Sequence, residues 1–278
     1  MKQPGEREKI KVALIQMDSK PKEKEHNISH AKELIRNNAV DAEFVCLPEL
    51  FSTGYNLNLM GDSFYELAET IPGPTTEEFG RLARERSLAI LGTIVEADSI
   101  RKGVLYDTTF LIDSSGNLAG KYRKTHLYPA EHSYFRPGSK LPVFELEGIK
   151  TGVAICFEHA FPQIFTILAL KGALMIFIPS AVPTGYEYLL NLRSRARAQD
   201  NQLFIAAVNR VGKEGEISFC GLSKIINPRG EVIAEGDGSR EQVVVGEIDL
   251  NLILKERKQE PFFRAMRPEL YRPLVKPL

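Results

Sequence analysis

Short apolar runs alternate with segments of helical period along most of the chain. Residues 10–16, 43–47, 88–96, 174–178 and 203–209 are rich in aliphatic and β-branched side chains and predict strands. Apolar positions recur at helical spacing over 27–37, 75–87, 163–171 and 186–201, which predicts helices. The turn-forming run Ser114-Ser115-Gly116-Asn117 marks a β-hairpin, and two further strands flank Pro228-Arg229-Gly230. No linker, short repeat or low-complexity stretch interrupts this order, so residues 1–278 read as a single α/β domain. The tail, 251–278, carries Pro261, Pro268, Pro273 and Pro277 among Phe262, Phe263 and Tyr271. It is expected to form no regular helix and to lie across the body or a partner subunit.

Composition narrows the function classes. Hydrophobic residues make up 43% of the 278, ample for a buried core. Lys plus Arg number 36 and Asp plus Glu 36, so no global field attracts nucleic acid or a membrane surface. No apolar run reaches membrane-span length, and the charged stretch from Met1 to Lys9 lacks the apolar core of a signal peptide. Three cysteines make no disulfide framework; a reducing compartment, the cytoplasm, is the simpler expectation.

Candidate chemistry begins at Cys156. The apolar run from Ile149 ends there and leads through Pro162 into a helical stretch, the pattern of a strand-nucleophile-helix elbow. Such an elbow frees the backbone N–H of Phe157 to meet an oxyanion. Taken alone, the pattern is more often that of a buried cysteine acting as a small hydrophobe than of a nucleophile. Upstream, Phe44-Val45-Cys46-Leu47-Pro48-Glu49 delivers a carboxylate into apolar surroundings, where burial raises its pKa and suits it to act as base and then acid. Between them, Tyr122-Arg123-Lys124 supplies a fixed positive charge, expected to lower the thiol pKa. Cys46 and Cys220 read as core packing, and His26 and His30 as a solvated helix face. His126 is open between a substrate contact and a structural hydrogen bond, and Tyr55 between the pocket mouth and a surface loop.

These segments together resemble the nitrilase superfamily of carbon-nitrogen hydrolases, in its amidase or N-carbamoyl amine amidohydrolase-like branch, over residues 10–250. The family's catalytic glutamate, lysine and cysteine fall on Glu49, Lys124 and Cys156, in the family's order. A second active-site glutamate falls on Glu131, ahead of Tyr134-Phe135-Arg136-Pro137-Gly138, and Phe219 to Ser223 with Asn227 to Gly230 look like the family's late hairpin. The resemblance implies an αββα sandwich that dimerises into αββα-αββα. It further implies cleavage of a non-peptide carbon-nitrogen bond through a cysteine thioester, with no cofactor and no metal.

The substrate is less fixed by the sequence. An amide, a carbamoyl amine or a nitrile would meet the same three side chains; a papain-like hydrolase would need a histidine base, and a noncatalytic binding module would leave Cys156 unreactive. After the nucleophile stand Phe157, Glu158 and His159, without the arginine that N-carbamoyl amino acid hydrolases place there. With the small or apolar Ala181, Val182 and Pro183 as further pocket candidates, the site is expected to disfavour carboxylates unless Arg193 or Arg195 enters the pocket.

Overall fold

The computed structural model describes residues 9–276; the charged residues 1–8 and the last two of the tail, Pro277 and Leu278, lie outside them. In chain order the strands are β1 (Lys9–Gln16), β2 (Phe44–Cys46), β3 (Ala89–Ala97), β4 (Leu105–Ile112), β5 (Leu118–Arg123), β6 (Phe144–Leu146), β7 (Ile149–Val153), β8 (Met175–Ser180) and β9 (Phe204–Asn209). They continue with β10 (Lys213–Glu214), β11 (Ile217–Ser218), β12 (Lys224–Ile226), β13 (Val232–Glu235) and β14 (Gln242–Asp249). The helices are α1 (Lys24–Asn38), α2 (Leu57–Met60), α3 (Ser63–Leu67), α4 (Pro74–Arg86), α5 (Pro162–Leu170), α6 (Glu187–Asn201), α7 (Asn251–Gln259) and α8 (Phe262–Ala265).

Two six-stranded sheets form, in the orders β14-β1-β2-β3-β4-β5 and β13-β12-β9-β8-β7-β6. Sheets covered on both faces carry near-continuous apolar strands, and β1 illustrates why. Its Ile10, Val12 and Leu14 join the core between the sheets, whereas Ala13 and Ile15 pack beneath α1 and α4 with Ile28, Ile35, Phe79 and Leu82. Across the inner core, the Phe44 and Phe177 rings stack at 6.2 Å. On the outer face of the second sheet, α5 and α6 bury Phe165, Leu168, Leu190 and Ala198. The layers therefore make an αββα sandwich.

Strand directions gather the chemistry at one edge. β2 runs parallel to β1 and β3, and β7 parallel to β8 and β9. The antiparallel steps β3–β4 and β4–β5 turn β5 back to the direction of β3. The segments leaving β2, β5, β7 and β8 consequently emerge near the carboxyl ends of strands, where open α/β sheets place ligands.

Some sequence expectations need correction. The tail contains a regular helix after all: α7 has nine residues, and Ile253 inserts into the core. Its prolines lie beyond that helix, where they stop it without disrupting it. Gln202 Nε2 donates to the Glu260 carbonyl at 2.7 Å and fastens the helix end to the body. β14, unread in the sequence, pairs antiparallel with all of β1, from Lys9↔Asp249 to Gln16↔Gln242. The strand before the nucleophile ends at Val153, not at Cys156.

Candidate active site

Cys156 opens a 3-10 turn, Cys156–Ala160, that separates β7 from α5. Its φ of 46° lies in the left-handed region that β-carbon-bearing residues seldom occupy. Ala154 N–H donates to the Phe177 carbonyl at 3.0 Å, extending the sheet's grip toward this strained residue. Only 9% of Cys156 is exposed, and what is exposed borders a cavity of about 710 Å³.

Lys124 follows β5. Its backbone N–H donates to the Asp107 carbonyl at 2.9 Å, and its carbonyl accepts from Gly138 N–H at 2.7 Å. Any side chain at Gly138 would meet the Arg123 carbonyl oxygen at 2.3 Å, so glycine is required for this close approach. The Lys124 ammonium is fully buried and donates to Glu49 Oε1 at 2.6 Å and Glu131 Oε1 at 2.7 Å. Tyr55 O–H donates to the same Glu131 oxygen at 2.7 Å, and Tyr128 N–H donates to the other at 2.9 Å. Glu49, Lys124, Glu131, Tyr55 and Cys156 are thus brought together.

Asp107 belongs to this cluster although the sequence reading passed over it. Its Oδ2 lies 3.5 Å from Lys124 Nζ, and oxygens of Glu49, Asp107 and Glu131 lie within 4.8 Å of one another. That spacing would suit a metal ion, but the Lys124 ammonium supplies the central positive charge among them. Three buried carboxyls around one ammonium favour retention of a proton. Burial pushes Asp107 well above the usual carboxylate range, assisted by Glu49 and Glu131 against Lys124. Protonated, it can donate to Glu49, whose Oε2 otherwise lacks a partner.

The electrostatics set the resting state of the other groups. Burial raises the Glu49 carboxyl pKa, partly opposed by Lys124. Burial also opposes the charge on Lys124, yet Glu131 and then Glu49 outweigh it and hold the ammonium well above the ordinary lysine range. For Cys156, burial and then Glu49 push the thiol well above its usual range. Lys124 and a hydrogen bond from the Ala181 backbone pull it down without prevailing. Lys124 thus lowers the thiol pKa as expected, but burial and Glu49 outweigh it and hold the sulfur above its usual range.

Phe157 also borders the cavity, its ring 5.4 Å from those of Tyr128 and Phe161. His126 does not. Its Nδ1 lies 2.9 Å from Thr125 Oγ1 and its ring packs 4.3 Å from Phe161, so the substrate-contact alternative gives way to the structural one. His159 does border the cavity, but burial, followed by Arg193, Arg197 and Lys124, lowers its pKa to about 3. A histidine base of the papain kind is not supported by that shift.

Glu158 was another omission. Fully buried, it accepts from Ile155 N–H at 2.6 Å on the nucleophile turn, and from Tyr122 O–H at 2.7 Å and Thr125 N–H at 2.8 Å on the lysine segment. One carboxylate thereby ties the two segments together. Burial opposes its charge, but these donors and His126 lower its pKa overall.

Cavity walls include Val182, Pro183 and Leu189. Arg193 from α6 joins them, donating through Nη1 to His159 Nε2 at 3.1 Å, whereas Arg195 turns to the Gly230 carbonyl. Of the two arginines that the sequence left open, Arg193 therefore enters the cavity lining and Arg195 does not.

The carbon-nitrogen hydrolase family model matches residues 11–258. A probable nitrilase of Schizosaccharomyces pombe is 34% identical over 97% of this chain and all of that protein. The 2-oxoglutaramate amidase of Bacillus subtilis is 33% identical, covering 94% of this chain and 98% of its own. The crystal structure of Saccharomyces cerevisiae Nit3, of branch 10 of the nitrilase superfamily, superposes with a TM-score of 0.84 at 29% identity, covering 93% of this chain and 97% of that one. The chain belongs to the carbon-nitrogen hydrolases, in the amidase-like branch of the nitrilase superfamily. It is a carbon-nitrogen hydrolase, and no helix among the described residues is long and apolar enough to cross a membrane.

Proposed function

We propose that Glu49, Lys124 and Cys156 cleave a small amide through a thioester on Cys156. The observation carrying this reading is the buried Glu49–Lys124–Glu131 cluster electrostatically coupled to a cysteine at the cavity wall. Glu49 takes the thiol proton as sulfur attacks the carbonyl carbon, and the carbonyl electron pair moves onto oxygen. Lys124 and the Phe157 backbone N–H stabilise that oxyanion. Collapse expels the nitrogen, protonated by Glu49, and leaves a thioester. Water, losing a proton to Glu49, then attacks the thioester; the departing sulfur recovers the proton and the carboxylic acid leaves.

Glu131 positions Lys124, and Tyr55 holds Glu131. A carbamoyl amine offers a comparable carbonyl-nitrogen bond, while the fission-yeast relative's description as a probable nitrilase supports a second reading in which sulfur attacks a nitrile. Ammonia release from matched amides, carbamoyl amines and nitriles separates the readings. Release from an amide that is lost in Cys156→Ala supports the proposal; release independent of Cys156 contradicts it.

The resemblance supports a homodimer, and α5 and α6 expose Ile167, Leu170, Tyr188 and Leu192, a suitable apolar face. Light scattering should give twice 31.2 kDa. Residues 1–278 are proposed as one catalytic unit. Three free, buried thiols favour a cytoplasmic setting, which fractionation of the native protein tests.

A further inference from the structure

We infer that Arg193, positioned by His159, forms a carboxylate subsite, so that the preferred substrate is an amide bearing a free carboxylate a few carbons from the scissile bond. This rests on the amide-hydrolase reading and specifies what the same cavity recognises.

Arg193 is half-buried in the cavity wall and, among the described residues, has no carboxylate partner. Its neighbours on α6 are already engaged: Arg195 donates to the Gly230 carbonyl, and Arg197 to the His159 carbonyl and Asp200. Arg193 Nη1 instead meets His159 Nε2 at 3.1 Å. Because a guanidinium only donates, that ring nitrogen must accept, which places the proton of a neutral imidazole on Nδ1. Nδ1 is buried without a partner, and His159 as a whole is only 4% exposed. The Arg193–His159 pair therefore uses one guanidinium hydrogen and leaves further donors for a planar two-oxygen acceptor.

Residues three apart on a 3-10 turn share a side. Cys156 and His159, with the Arg193 that His159 holds, therefore border the same cavity, and a substrate spanning from sulfur to guanidinium would carry a few methylenes between its two ends. The nearby Val182, Pro183 and Leu189 can enclose those methylenes. Glu216, the acidic residue in the lining, is exposed, so water screens its repulsion more than it screens the attraction of half-buried Arg193. An arginine from α6 thus supplies the charge missing immediately after the nucleophile.

The test compares glutaramate, the monoamide of a five-carbon diacid, with pentanamide. Wild type should favour glutaramate in kcat/KM by tenfold or more, and Arg193→Met should reduce that preference at least tenfold, chiefly by raising KM for glutaramate. Arg193→Lys should restore part of it. Calorimetry of glutaramate binding to Cys156→Ala, with and without Arg193→Met, reads the subsite without turnover. At least tenfold weaker binding supports the inference; equal binding, or an unchanged substrate ratio, overturns it. Cys156-dependent pentanamide hydrolysis alongside such a failure would leave the catalytic reading intact.

Discussion

Glu158 accepts the Thr125 backbone N–H at 2.8 Å, joining the turn that begins at Cys156 to the segment that carries Lys124. The nucleophile and its cationic partner are consequently positioned by one buried anion. Glu158→Gln removes the charge while nearly preserving shape, and it should cost about 2 kcal/mol because hydrogen bonds to a charged group weaken. Chemical denaturation measures that loss. Its lowered pKa also fixes a sign: the stabilisation is present above the unfolded carboxylate pKa and disappears as pH falls through the folded value. Glu158→Gln should flatten this acid limb of stability; equal acid sensitivity would assign it elsewhere.

Asp107 and Glu49 divide one proton between unlike roles. Asp107→Asn preserves a neutral donor toward Glu49 and should keep kcat/KM within about tenfold, or 1.4 kcal/mol, of wild type. Asp107→Leu removes the donor and should lose more. Were Asp107 instead an indispensable anion for Lys124, the asparagine variant would be as impaired as the leucine variant.

The acid limb of activity follows from Glu49. As base it must be ionised, and its pKa is raised, so kcat/KM should begin to fall at a pH above the ordinary carboxylate value of 4.5. Lys124, held well above the ordinary lysine value of 10.5, should contribute no loss through pH 9 or so. A profile flat down to about pH 4 would contradict the base assignment.

Thiol chemistry separates the cysteines. Cys156 borders the cavity, whereas Cys46 is wholly within the inner core and Cys220 is 3% exposed. Iodoacetamide should modify Cys156 first, faster as pH rises because its resting thiol is protonated. Peptide mass spectrometry checks both expectations. Cys46→Ala and Cys220→Ala should retain most turnover, while Cys156→Ala should have none; first labelling at Cys46 with loss of turnover would reverse the assignment.

Several site features were legible because each functional segment carried a local signal: Pro48 before Glu49, the basic run at Lys124 and the elbow at Cys156. Asp107 lacked such a signal because its role depends on the β4–β5 register, which brings Thr108 opposite Arg123 and thereby places Asp107 beside Lys124. A lone charged residue within an otherwise uncharged strand was the available clue. Glu158 was hidden by proximity to Cys156; its importance comes from partners far upstream. For α7, four tail prolines outweighed the nine residues before them, although none falls inside that helix.

The most direct test of the central claim is rapid-quench mass spectrometry of the protein mixed with a primary amide it hydrolyses. The account predicts a transient mass increase equal to the acyl group, mapped to Cys156, forming and decaying no more slowly than turnover and absent from Cys156→Ala. Turnover with no acyl adduct at any time, or an adduct on another residue that forms and decays at the catalytic rate, would contradict it.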